Sequence, residues 1–245
     1  MAKKTSLLQF LMRSGKFQTA HEAERAIRSK RTKVREETVT NPRHFFDPKM
    51  DFVFLDGQLV KKAPLLYFIM NKPSGIICQK SKEEESIFDL LRPLPLSPEQ
   101  RASLFVIGRL DKDTEGLLII TNDGKLSDTL MNSKHDIPKT YHAILNFPLS
   151  HTQKKQLESG IKIKTEEGEY TTKPCAIKKE GERTICISIT EGKKRQIRRM
   201  FEATGNEVIH LKRISIGSLE LGTLRLGELQ QTTKEHILKA LEKPS

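Results

Sequence analysis

Residues 108–124 read GRLDKDTEGLLIITNDG, from Gly108 to Gly124. Apolar runs flank the charged centre, LFVI at 104–107 and LLII at 117–120. Short apolar runs bounded by Gly and Asp are strand signals, which puts Asp111 at the mouth of two expected strands. A carboxylate there can act as nucleophile, general base or metal ligand, or simply cap and buttress its turn. The loop alone leaves these alternatives open.

The chain has 245 residues, enough for one large domain or two smaller ones. Its formal charge is +12, and the charge is unevenly placed. Between Arg13 and Arg35 stand eight basic residues and two acidic ones. Such a cluster is the electrostatic footprint of a polyanion-binding surface, and RNA or DNA is expected over a membrane surface. No stretch approaches the ~20 apolar residues of a membrane span, and LLQFLM at 7–12 lacks the features of a signal peptide. Three distant cysteines, Cys78, Cys175 and Cys186, form neither a disulfide framework nor a CxxC pair, so a reducing cytoplasm is expected. The seven histidines show no HxH or HxxxH pair, and no phosphate-loop motif occurs. No metal is expected.

The N-terminal segment reads as two helices and short strands. Ser6 is placed to cap LLQFLMRS, with Gly15 as its stop, and Thr19 and Glu22 have capping-box spacing before HEAERAIRSK. Arg25 and Arg28 would face outward from the second helix. The pieces TKVREETV and DFVFLDGQLV follow, the latter with an Asp-Gly turn. This arrangement, over roughly residues 5–62, resembles the small RNA-binding domain of ribosomal protein S-four. It departs from that family's usual turn after the second helix, reading Lys33-Val34-Arg35-Glu36-Glu37.

A second domain is expected from Ala63-Pro64 onward, giving domains 1–62 and 63–245. Its elements are the strand LLYFIMNKP, a helix KLSDTLMNS, strands at KTYHAILNF, RTICISIT and VIHLKRISIG, and a C-terminal helix with a capping box at Thr232 and Glu235. Both element types occur without regular βα alternation, so the fold expected is α+β on a mixed, largely antiparallel sheet.

Several separated blocks stand in a telling order: Asn71-Lys72-Pro73-Ser74-Gly75; Gly108-Arg109-Leu110-Asp111; Lys139-Thr140-Tyr141; Glu191 to Met200; and Leu211-Lys212-Arg213. Together they resemble the pseudouridine synthases of the RsuA type, a family that includes RluB, RluE and RluF. The resemblance spans residues 63–235. It implies isomerisation of a uridine in ribosomal RNA of the small or large subunit, in an assembly intermediate or otherwise, without a cofactor; a monomer is the default expectation, with oligomeric state left open. By the same resemblance Asp111 is the catalytic aspartate, acting at C1′ or C2′ of the ribose. Arg198 is the basic residue that pairs with it, and Tyr141 stacks on the target base. Arg109, Lys72, Lys193, Lys194, Arg195 and Arg199, with Arg25 and Arg28, are candidate RNA contacts. Two rival readings draw on the same residues: a phosphatase built on Asp111-Lys112-Asp113-Thr114, and an rRNA-binding factor without activity. The first lacks a later acidic pair to complete its metal site, and the second leaves the intact Asp111, Tyr141 and Arg198 unexplained.

Overall fold

The computed structural model describes residues 4–17, 19–61, 63–81, 83–132 and 135–242. The chain divides into two compact units. One comprises Met1–Leu66, Pro93–Phe105 and Thr121–Asp123; the other comprises Tyr67–Arg92, Val106–Ile120 and Gly124–Ser245.

In the first unit the local signals act as their chemistry dictates. The Ser6 hydroxyl accepts from the Gln9 N–H to open helix Leu7–Ser14, which ends at Gly15 in the left-handed region with φ 73°. Thr19 and Glu22 form a reciprocal capping box on helix Ala20–Arg28. A four-stranded sheet follows in the order Glu37–Thr38, Thr32–Val34, Val53–Leu55, Gln58–Leu59. The helices bury Leu7, Phe10, Leu11, Ala23 and Ile27 against Val34 and Val53 on one face of it. Phe10 meets Phe46 edge-on with ring centroids 5.2 Å apart, a favoured aromatic geometry.

Asn122 organises the later segments of this unit. It is 2% exposed. Its Oδ1 accepts from the Leu66 N–H at 2.8 Å, and its Nδ2 donates to the Pro64 carbonyl at 2.8 Å and to Ser103 Oγ at 3.1 Å. The adjacent Thr121 hydroxyl donates to the Leu66 carbonyl at 2.6 Å. The Thr-Asn-Asp-Gly block is thus a buried polar staple.

The second unit is built on a nine-stranded mixed sheet. Across it run Ala176–Lys179, Thr184–Ile189, Lys139–Leu145, Val208–Ile216, Glu115–Thr121, Tyr67–Lys72 and Leu229–Gln231, with two short strands paired off this path. Most pairings are antiparallel, while Val208–Ile216 lies parallel to Glu115–Thr121. The α+β expectation holds. Two local details differ from the sequence reading. The helix after Asp123 spans Gly124–Leu130, and position 133 lies outside the described residues. The cap of helix Lys234–Leu238 is Thr233, whose hydroxyl accepts from the His236 N–H, because Thr232 instead contacts the His236 ring at 2.7 Å.

Replacing Asn122 with Ala leaves the buried Leu66 N–H without its partner and removes the hydrogen bonds to Ser103 Oγ and to the exposed Pro64 carbonyl. At ~1–3 kcal/mol for the one buried group left unpaired and about 1 kcal/mol for the other hydrogen bonds lost, the loss should be about 2–4 kcal/mol. The thermal midpoint should fall by roughly 5–10 °C in calorimetry.

Candidate active site

Asp111 lies half-buried in the turn between Phe105–Ile107 and Glu115–Thr121. The Thr114 N–H donates to the Asp111 carbonyl at 3.1 Å and closes this turn. Lys72, at the end of strand Tyr67–Lys72, reaches beneath it. Its Nζ donates to the carbonyls of Pro73 at 2.9 Å, Asp111 at 3.2 Å, Lys112 at 3.2 Å and Thr114 at 2.9 Å. Burial pushes the Lys72 ammonium below its ordinary pKa, opposed by surrounding negative groups that include Asp113, Glu115 and Asp111. Lys72 is 0% exposed. The sequence reading of Lys72 as an RNA contact is therefore corrected: every direction its ammonium could take is already filled by backbone.

A second buried cation grips the loop at its ends. Arg213 is 2% exposed and stands opposite Gly116 in the parallel pairing. Its Nε donates to the Leu117 carbonyl at 2.8 Å and its Nη2 to the Gly108 carbonyl at 2.7 Å. The close approach requires glycine at 116. A Cβ there would lie 2.2 Å from the Arg213 carbonyl oxygen, and φ is +108°.

Tyr141 is the antiparallel partner of Arg213 and, on its other side, of Ile187. Directly opposed residues share a sheet face, so Tyr141 stands beside the guanidinium that holds the Asp111 loop. It is 9% exposed. Its hydroxyl has no hydrogen-bond partner among the described residues.

Arg198, on helix Gln196–Glu202, occupies a different place from the one expected. The sequence reading paired it with Asp111, whereas the structure pairs it with Asp113, its Nε lying 3.2 Å from Oδ2. Its Nη2 donates to the Asp113 carbonyl at 3.1 Å and its Nη1 to the Val208 carbonyl at 2.5 Å. Arg195, left-handed at φ 53°, adds Nη1 contacts of 3.1 and 3.0 Å to the two Asp113 oxygens. One carboxylate is thus shared by two guanidinium groups, leaving a net positive charge at the turn. The Nε–Asp113 approach is one of charge without an aligned hydrogen bond. Arg198 Nε and Thr114 Oγ1 are buried polar atoms that make no hydrogen bond among the described residues. Such groups are uncommon in folded proteins and call for an explanation.

The remaining cations are arranged before and along that helix. Lys193 and Lys194 are exposed, as is Arg109 beside Asp111, while Arg199 is half-buried. An acidic hairpin, Lys162–Thr165 with Gly168–Thr171, meets two of them. Lys194 lies 2.5 Å from Glu166, and Lys193 lies 3.5 Å from Glu167 and 5.0 Å from the Tyr170 ring centroid. Glu191 anchors this hairpin. It accepts from the Tyr170 hydroxyl, from the Lys173 N–H at 2.9 Å and from Gln196 Nε2 at 2.6 Å. Its hydrogen bond raises the Tyr170 phenol above the usual range. Arg25 and Arg28 are exposed on the second helix of the first unit. Among the described residues no group of three His, Cys, Asp or Glu side chains is placed to hold a metal ion.

Residues 66–203 match the model of the RNA pseudouridylate synthase family. The chain belongs to that family. It is 38% identical over 200 residues to ribosomal large subunit pseudouridine synthase B of Bacillus subtilis, covering 78% of each chain. It is 31% identical over 216 residues to ribosomal small subunit pseudouridine synthase A of Escherichia coli, covering 88% of this chain and 91% of the relative. A crystal structure of a pseudouridylate synthase superposes with a TM-score of 0.68 at 29% identity, covering 96% of this chain and 99% of that one. Pseudouridylate synthases are isomerases that convert uridine to pseudouridine in RNA.

In this synthase the sequence reading assigned no role to Asp113 or Arg213. Each carried a signal. Asp113 shares the turn with Asp111, and Arg213 interrupts the apolar positions of VIHLKRISI. Lys139, beside Tyr141, is also drawn in: burial, and then the charge of Arg213, lower its pKa.

Replacing Lys72 with Met keeps the stem and removes the charge. The turnover number should fall at least ~10-fold while RNA affinity and its salt dependence stay as in the parent. A salt slope reduced by about one, the signature of a lost phosphate contact, would contradict the buried-clamp reading.

Proposed function

We propose that this chain isomerises one specific uridine of ribosomal RNA, with Asp111 as the catalytic carboxylate. The reading is supported by the relatives named above as ribosomal large- and small-subunit synthases. The observation that carries it is the state of Asp111 itself. Its backbone is pinned by Lys72, yet its side chain makes no hydrogen bond or ion pair among the described residues. A carboxylate held in position and left unengaged is what an incoming ribose requires.

In the reaction the N1–C1′ bond breaks, the uracil turns within the site, and a C5–C1′ bond forms. The C5 proton is given up and N1 regains one, so the product is an isomer. Asp111 acts on C1′ as nucleophile or on C2′ as base. Tyr141 lies against the turning base. Arg198, whose Nε lies 3.2 Å from Asp113 without an aligned hydrogen bond, belongs to the same turn through Asp113 and supplies positive charge as electrons move. Thr114 Oγ1 is a second waiting polar atom at the same turn.

Residues 1–62 act as an S-four-like RNA-binding domain and 63–245 as the catalytic domain. Two helices over a four-stranded sheet support the first assignment. Arg25, Arg28, Arg109, Lys193, Lys194, Arg195 and Arg199 contact the RNA backbone, and the protein works in the cytoplasm as a monomer without a cofactor.

The test is Asp111→Asn on the full chain. Pseudouridine in ribosomal RNA, read by carbodiimide labelling and primer extension, should fall below detection while RNA affinity stays within a few-fold. Loss of both together would mean that Asp111 is structural. With ~6–10 phosphates contacted, parent affinity should drop about 10³–10⁵-fold from 50 to 200 mM salt. A flat response would remove the backbone contacts from the mechanism.

A further inference from the structure

Two cross-strand rows differ sharply on the small sheet of the first unit. Val34 pairs with Val53, and both are buried, at 6% and 1% exposure. They face the helices. The adjacent row runs across all four strands: Thr38 opposite Lys33, Lys33 opposite Phe54, Phe54 opposite Leu59. Successive strand residues alternate between faces, so this row points away from the core. Its members are exposed or half-buried. Phe52, two positions before Phe54 and on the same face, is 64% exposed, and Leu59 is 44% exposed. The Arg35 N–H donates to the Phe52 carbonyl at 2.7 Å, extending the pairing by one residue.

The solvent side of a sheet is ordinarily polar. Here it carries two phenylalanines and a leucine beside cations. Lys33 has no ion pair among the described residues. The Arg35 guanidinium lies 2.5 Å from Asp51 and remains 70% exposed.

We propose that this outward sheet face is a stacking platform for unpaired nucleotides of the RNA substrate, with Phe52 and Phe54 receiving bases and Lys33 and Arg35 meeting the flanking phosphates. Flat rings beside cations form the surface that binds single strands with little sequence preference. A second copy of the chain is a poorer occupant. A two-fold contact across this face would set one cationic patch against another, like charge against like. The platform is on the opposite side of the sheet from the helix that carries Arg25 and Arg28. The inference rests on the chain binding RNA and is independent of which residue performs the isomerisation.

The test measures binding by the full-length protein to a labelled 12-nucleotide oligoadenylate and to a 12-base-pair RNA duplex. Phe52→Ala should weaken single-strand binding about 5–10-fold, within the range for one lost stacked base, and leave duplex binding unchanged. Its salt slope should match the parent, whereas Lys33→Ala should reduce the single-strand slope by roughly 0.7. Phe52→Trp should restore the loss. Equal loss on both RNAs, no loss on the single strand, or failure of the Trp variant to rescue would each overturn the proposal. So would sedimentation showing a parent dimer that Phe52→Ala dissociates, which would make the face a contact between copies.

Discussion

The Lys72 ammonium donates to backbone on both sides of the Asp111 turn from a position with no exposed surface. A buried charge is costly unless it is fully partnered. Four carbonyl oxygens meet that requirement and in exchange lose their freedom to move. The end of strand Tyr67–Lys72 and residues 111–114 are thereby fixed to one another. Arg213 does the same for Gly108 and Leu117. The backbone of Asp111 is held between them, its carbonyl accepting from Lys72 Nζ and from the Thr114 N–H.

Charge is layered around this loop. The two cations that bind backbone carbonyls lie beneath it, and a further pair of guanidinium groups meets the Asp113 carboxylate. The Arg195–Asp113 contact is partly exposed and contributes modestly to stability. Arg198 is itself buried, so removing Asp113 would leave its guanidinium without a counter-charge in the interior. The Asp111 carboxylate makes no such contact among the described residues. The division of labour between two aspartates two residues apart follows from which of them faces the arginine helix.

Much of this was legible in the chain. The first unit's helices follow rules that act within four residues, so Ser6, Thr19, Glu22 and Gly15 disclosed them directly. The strands flanking Asp111 were readable from LFVI and LLII. What the sequence concealed are pairings decided by packing between distant segments. Lys72, between Asn71 and Pro73, reads like any surface lysine until strand Glu115–Thr121 is laid beside it. Arg198 has Asp111 and Asp113 within two residues of each other, and only the placement of helix Gln196–Glu202 selects between them. Thr232 and Thr233 are both sound caps, and a contact to the His236 ring separates their roles.

The acidic hairpin tip gives the surface beside the site a property that net charge does not reveal. Lys193 and Lys194 already hold Glu167 and Glu166, so a polyanion arriving there must swap one set of negative groups for another. Swapping returns less free energy than occupying a bare cation, and the deficit falls on every RNA alike. Both ion pairs are largely exposed and individually weak, so the tip tempers the positive field of this surface without cancelling it.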